Sequence, residues 1–303
     1  MTAVRRGGAR WMGPVMVVVA GMAAGAAPAV AAEIEIPEWR NAFVEHGVAG
    51  SVVVRRLGEN RSYVSDLDHG TRGYVPASTF KIPHLLIALE TGVVQDVEQV
   101  VPWDGQRRRV AAWNRDQSVQ QAVAVSSVPV FQTIARSIGE DRMSAWLRRL
   151  GYGNAAVSGG VDRFWLDGGL RVTPVEQVDF IEQLLLGTLP ASTRSQIAAR
   201  DAVPGERLAC DVTIRGKTGW AHRPGDEGPD TGWWVGWVER PNDVWLFATA
   251  VEGYPERIRE ARREITLNVL ERAGILPGRG PSTGCSEGVV RASTAALLAA
   301  APE

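Results

Sequence analysis

The pattern of apolar positions along the chain divides it into three blocks. Near the start, 48–56 and 61–66 carry β-type apolar runs, split by the turn-like Leu57-Gly58-Glu59-Asn60, and read as two strands. From 85 onward the pattern becomes helical. The stretches 85–92, 130–138, 144–150, 175–186 and 195–200 have helical spacing or helical composition, separated by loops of glycine, proline and polar residues. Strand patterns return at 212–217, 232–238 and 244–251, and 257–273 then reads as an amphipathic helix. Strands at both ends with helices between them predict an α+β fold: a sheet assembled from both ends of the chain, with a helical lobe at about 79–205 inserted in it. A cleft between the two would receive residues from the middle of the chain and from the late strands.

Composition narrows the function classes. The 303 residues are 45% hydrophobic and 22% charged, with a formal net charge of -1, enough for one large domain and without the basic balance of a nucleic-acid-binding chain. Arg107-Arg108-Arg109 and Arg148-Arg149 read as short solvated faces, so no nucleic-acid partner is expected.

The first 32 residues follow a separate logic. Arg5, Arg6 and Arg10 precede the uncharged, mostly apolar stretch 12–27, and Ala29-Val30-Ala31-Ala32 follows, the order of a secretory signal peptide. Gly13, Pro14, Gly21, Gly25 and Pro28 interrupt the run, which favours export and cleavage over a retained membrane span. The expected organisation is a signal peptide over 1–32, one domain over 33–276 and a disordered tail over 277–303, with no membrane contact after cleavage. Cys210 and Cys285 can pair in an exported protein. His46, His69, His84 and His222 have no metal-ligand spacing, and no dinucleotide or phosphate-binding glycine motif occurs, so no metal and no cofactor are expected.

Chemistry concentrates in three motifs. In Pro76-Ala77-Ser78-Thr79-Phe80-Lys81, Pro83 is tolerated only in a helix's first turn, which starts the helix near Ser78. Positions i and i+3 share a face, so Lys81 can lie over the Ser78 hydroxyl as its proton acceptor. A lysine with its ordinary pKa of about 10.4 is a poor base at neutral pH, and burial among Phe80, Ile82 and Leu85 would correct that. The plainer reading of the tetrapeptide is an N-cap serine and a solvated lysine. Ser126-Ser127-Val128-Pro129 opens another helix, with Ser126 either capping it or projecting beside it. In Ile214-Arg215-Gly216-Lys217-Thr218-Gly219-Trp220, Lys217 and Thr218 can bind a carboxylate, and Gly219 permits close approach to the backbone. Gly280-Pro281-Ser282-Thr283-Gly284 fits a hydrolase nucleophile elbow, but no strand leads into it.

Ser-x-x-Lys with a distal Lys-Thr-Gly marks serine β-lactamases and penicillin-binding proteins. Adding Ser126-Ser127-Val128, Tyr152-Gly153-Asn154, Phe164-Trp165-Leu166-Asp167-Gly168, Trp233-Trp234-Val235-Gly236-Trp237, Trp103-Asp104-Gly105 and Trp113-Asn114-Arg115-Asp116, the chain from about Glu38 to Leu276 resembles the class D, oxacillinase-type β-lactamases. The resemblance implies the penicillin-binding-protein transpeptidase-like fold, hydrolysis of small-molecule β-lactams, antibiotic resistance and a periplasmic location. It implies Ser78 as the acylated nucleophile and Lys81, carboxylated by carbon dioxide to N6-carboxylysine, as general base for acylation and deacylation. Trp165 would hold the carbamate through its indole N–H, with Val128 and Leu166 shielding it. Ser126 would relay a proton to the β-lactam nitrogen with Lys217 nearby, and the backbone N–H groups of Ser78 and Trp220 would form the oxyanion hole. Arg262 would bind the substrate carboxylate with Thr218 and Lys217, and Trp113 would wall the pocket; Arg257, Arg259 and Arg263 are close rivals of Arg262. Tyr152-Gly153-Asn154 reads as structural and Trp233, Trp234 and Trp237 as core. A penicillin-sensing domain, which keeps its acyl group, and a peptidoglycan D,D-peptidase are the competing readings.

Overall fold

The computed structural model describes residues 31–209, 211–222 and 228–277. The expected signal peptide, Cys210, Cys285 and the expected tail therefore lie outside the described residues, apart from the signal's last two residues and Pro277.

Strand β1 (Ala32–Glu35) and helix α1 (Arg40–Glu45) precede β2 (Ala49–Arg56) and β3 (Arg61–Val64), the strand pair that the valine-rich pattern predicts. The turn α2 (Leu67–Gly70) and a 3-10 turn, Ala77–Phe80, lead into α3 (Lys81–Glu90). A two-stranded ribbon, β4 (Val100–Val101) with β5 (Gln117–Ser118), separates α3 from α4 (Val119–Ala124). The lobe continues through α5 (Val128–Ile138), α6 (Glu140–Leu150), α7 (Pro174–Leu186) and α8 (Thr193–Asp201). The chain returns to the sheet as β6 (Gly205–Ala209), β7 (Val212–Ala221), β8 (Asp230–Glu239) and β9 (Val244–Gly253), and α9 (Pro255–Arg272) follows.

Helix ends follow local chemistry. In α7, Thr173 accepts the N–H of Glu176 while the Glu176 carboxylate accepts that of Thr173, a reciprocal cap, and Pro174 fills the first turn where no N–H is needed. The sheet runs β1-β3-β2-β9-β8-β7-β6, antiparallel except for the parallel β1–β3 pair. Side chains alternate between its faces. Val53, Trp233, Val235, Trp237, Leu246 and Ala248 face the helical lobe, whereas Val52, Val54, Trp234, Val238, Phe247 and Val251 face α1 and α9. Helices thus cover both faces, which is why the central strands read as near-continuous apolar runs. The three tryptophans of β8 are core, as expected.

One gap in the ladder positions the site. β6 pairs with β7 only from Val212 to Arg215, and Gly216 N–H then bonds the Pro204 carbonyl, so β7 has a free edge beyond Gly216. Backbone groups point alternately to the two neighbours of a strand, so the Trp220 N–H, like that of Gly216, is directed to the open edge. Lys217 and Gly219 face the lobe side, and Thr218 and Trp220 face α9.

Candidate active site

The α-helix begins at Lys81 rather than at Ser78, which sits on the preceding 3-10 turn. Ala77 adopts φ 48°, a left-handed conformation that costs a non-glycine residue about 1–3 kcal/mol and persists only where the surroundings enforce it. They do. The Pro76 carbonyl accepts both the N–H and the hydroxyl of Thr79, and Trp233 Nε1 donates to the Val75 carbonyl at 2.9 Å. Gln177 Nε2 donates to Thr79 Oγ1 at 2.9 Å, and Tyr152 donates its hydroxyl to Gln177 Oε1, which ties the turn to α7. Gly219 closes the fit: an added Cβ would lie 2.9 Å from the Pro76 carbonyl oxygen and 3.2 Å from the Thr79 methyl. The close approach that this glycine allows is made by the chain itself, pressing the Ser78 turn against β7.

Lys81 is fully buried and places Nζ 3.0 Å from Ser78 Oγ. Burial, with the nearby Lys217 charge, holds its pKa well below the ordinary lysine value. The Phe131 ring centre is 5.1 Å from Nζ, and Phe131 joins through His84 a cluster of Phe80, His84, Phe164 and Trp165 whose ring centres lie 5.0–5.7 Å apart. Trp165 is 0% exposed, and among the described residues its Nε1 has no hydrogen-bond partner. The solvated-lysine reading fails: the amine is buried beside an aromatic wall, its pKa is lowered, and among the described residues the neighbouring cluster holds an indole donor without an acceptor.

Ser126 does not cap α5; Ser127 occupies that position without a side-chain cap bond. Ser126 instead takes φ 57°, and its Oγ accepts from Lys217 Nζ at 3.1 Å. Lys217 Nζ also donates to the Thr218 carbonyl at 3.0 Å, and burial together with the Arg262 charge lowers its pKa to about 7. Arg262 reaches the same corner from α9, donating to the Gly219 carbonyl and lying over the Trp220 ring. Of its rivals, Arg257 donates to the Gly47 carbonyl and Arg263 pairs with Glu206, while Arg259 shares the corner, 5.4 Å from the centre of the same Trp220 ring. The free edge of β7 therefore has the Lys217 amine, the Arg262 guanidinium and the outward Trp220 N–H beside it, groups able to receive an anion.

The penicillin binding protein transpeptidase domain model matches residues 56–271. Beta-lactamase OXA-48 of Klebsiella pneumoniae is 43% identical over 251 residues, 82% of this chain and 93% of that protein. Beta-lactamase OXA-10 of Pseudomonas aeruginosa is 39% identical over 244 residues, 80% of this chain and 91% of that one. A solved class D β-lactamase from Nostoc superposes with a TM-score of 0.74 at 35% identity, covering 78% of this chain and 99% of that structure. The class D enzyme FUS-1 of Fusobacterium nucleatum subsp. polymorphum gives 0.75 at 30% identity, covering 80% and 100%. The chain belongs to the class D β-lactamases.

The remaining expected residues of this class D chain lie on other elements. Trp113 is half-buried and donates Nε1 to the Val125 carbonyl at 3.0 Å, beside the Ser126 loop. Leu166 packs at the margin of the lobe-side core and borders a cavity of about 230 Å³ with Tyr74, Ala221 and Thr231. Val128, half-buried, opens α5 two residues after Ser126. Asn154 braces the loop before α7, its Oδ1 accepting Arg171 N–H and its Nδ2 donating to the Gly169 carbonyl. Sequence reasoning missed three contributors: strained Ala77, Gln177 behind Thr79, and His84 behind Lys81. Only His84 left a signal, since it lies three residues after Lys81 on the same helical face.

Proposed function

We propose that the protein hydrolyses β-lactams through an acyl-enzyme on Ser78, with Lys81 as the base site for both half-reactions. The observation that carries this reading is the buried Lys81 amine, 3.0 Å from Ser78 Oγ, beside an aromatic cluster in which the Trp165 indole N–H has no hydrogen-bond partner among the described residues. Carbon dioxide, by forming a bond from its carbon to Lys81 Nζ with loss of one amine proton, would turn a weak base into an anionic one at that spot. Trp165 supplies a donor for the new negative charge, and Phe80, Phe131, Val128 and Leu166 limit water around it.

The chain's own groups then divide the work. Ser78 Oγ bonds to the β-lactam carbonyl carbon as its proton passes to the Lys81 site, and the backbone N–H groups of Ser78 and Trp220 receive the developing oxyanion. The ring C–N bond breaks, and its nitrogen takes a proton from Ser126, which Lys217 can resupply across their 3.1 Å hydrogen bond. Arg262, Lys217 and Thr218 hold the substrate carboxylate. The proton left at the Lys81 site then replaces the one Lys217 gave, and the freed base takes a proton from water as the water oxygen bonds to the acyl carbon; the acyl–Oγ bond breaks and Ser78 Oγ takes that proton back.

Turnover of a chromogenic cephalosporin by degassed enzyme, with and without bicarbonate, tests the proposal. Many equivalents should be hydrolysed, faster with bicarbonate. A single stoichiometric burst would instead fit a penicillin sensor, and bicarbonate-independent turnover would remove the carboxylated lysine. We also propose export to the periplasm with cleavage near residue 32, on the basic, apolar and small-residue order of the first 32 residues. Among the described residues, no helix is long and apolar enough to cross a membrane.

A further inference from the structure

His84 is a polar group that the mechanism above does not use, in a place where polar groups are seldom idle. The imidazole is 0% exposed, and among the described residues neither Nδ1 nor Nε2 has a hydrogen-bond partner. Native proteins pair almost all buried polar side chains, so a doubly unpaired imidazole needs a use. Its neighbours indicate one. His84 lies on α3 one turn after Lys81, and both residues pack on Phe131, with Lys81 Nζ and the His84 ring each 5.1 Å from the phenyl centre. His84 also meets Trp165 edge to face at 5.1 Å, and Trp165 Nε1 is likewise without a partner among the described residues. Burial, together with the Lys81 charge, lowers the imidazole pKa to about 3, so at neutral pH it is uncharged and carries one N–H donor and one acceptor nitrogen.

We infer that His84 donates a hydrogen bond to the carboxylated form of Lys81 and, together with Trp165, sets the affinity of this lysine for carbon dioxide. The inference rests on the carboxylated-lysine reading and adds a positioning residue to it. A carbamate has two oxygens, and the indole and the imidazole, neither with a hydrogen-bond partner among the described residues, belong to the buried aromatic cluster that Lys81 joins through Phe131. An uncharged imidazole suits this role better than a cation would, because it provides the N–H without repelling the amine before carbon dioxide arrives.

Carbon-13 NMR of degassed full-length enzyme titrated with [13C]bicarbonate at fixed pH separates the outcomes. Wild type should give a carbamate resonance. His84→Leu should need roughly tenfold more bicarbonate or greater to reach half occupancy, because one donor to a charged group is gone. His84→Asn, which restores an N–H at the same position, should recover most of that loss, and a merely space-filling role would not produce this rescue. A His84→Leu protein that titrates like wild type would overturn the inference while leaving the carboxylated lysine intact. No carbamate signal in wild type would overturn the carboxylated-lysine reading itself. If His84→Leu does not fold, 15N-histidine-labelled wild type gives the answer: the His84 ring N–H resonance should move as the carbamate signal grows, and a stationary resonance would refute the hydrogen bond.

Discussion

Replacing Trp165 by phenylalanine removes one N–H and part of one ring. The indole is fully buried, its rings pack on Phe80, His84 and Phe164, and a phenyl group keeps much of that contact. A hydrogen bond to a charged acceptor contributes about 1.5–3 kcal/mol net. Lost from the carboxylated lysine, that corresponds to a roughly 10- to 150-fold weaker affinity for carbon dioxide. Without carbon dioxide the same N–H is a buried donor lacking an acceptor among the described residues, and deleting it relieves a cost that offsets part of the lost packing. Trp165→Phe should therefore stay within about 2 kcal/mol of wild type in carbon dioxide-free denaturation. The decisive assay is the initial rate of cephalosporin hydrolysis by degassed enzyme against added bicarbonate at fixed pH. Half-maximal bicarbonate should rise by the stated factor. An unchanged value in a folded Trp165→Phe protein would refute the role given to the indole.

Three further outcomes are expected. Arg262→Ala should lower kcat/KM by about 1–3 kcal/mol, mostly through KM, whereas Arg263→Ala, whose guanidinium pairs with Glu206, should stay near wild type; steady-state kinetics on both variants decides which arginine binds the carboxylate. Ser78→Ala should show no covalent penicillin label by intact mass, and any stoichiometric label on it would implicate another nucleophile. Lys217 has a folded pKa of about 7 against about 10.4 unfolded, so between those values the unfolded chain binds more protons and stability should rise with pH, by up to about 1.4 kcal/mol per unit. Chemical denaturation from pH 7 to 9 should show a shallower rise in Lys217→Met, and equal slopes would contradict the burial of that charge.

The sequence revealed the central strands and long helices because their apolar runs are long; the Ser78–Lys81 pairing is legible from i, i+3 helix geometry, whereas Ser126 and Lys217 are singled out by the family resemblance. β1 and β6 escaped notice: each is short, and β6 holds the exposed Glu206 and Arg207, so neither has the buried face that writes a pattern. The support behind the site was also hidden. Ala77 is an ordinary residue whose left-handed φ is held by the local Thr79–Pro76 bonds and by Trp233 and Gly219, and the last two contacts cross long stretches of chain and leave no local spacing. Gln177 is 98 residues from the threonine it holds. The free edge of β7 follows from where β6 stops pairing, which is a property of register and not of composition.

The most direct test of a Ser78 acyl-enzyme served by one base site is intact-mass and peptide-mapping spectrometry of Lys81→Ala mixed with penicillin. The protein should slowly acquire one penicillin mass per chain, on Ser78, and keep it over a time in which wild type destroys many equivalents, because the base needed for release is gone. An adduct on any other residue, or turnover by Lys81→Ala at the wild-type rate, would contradict the account.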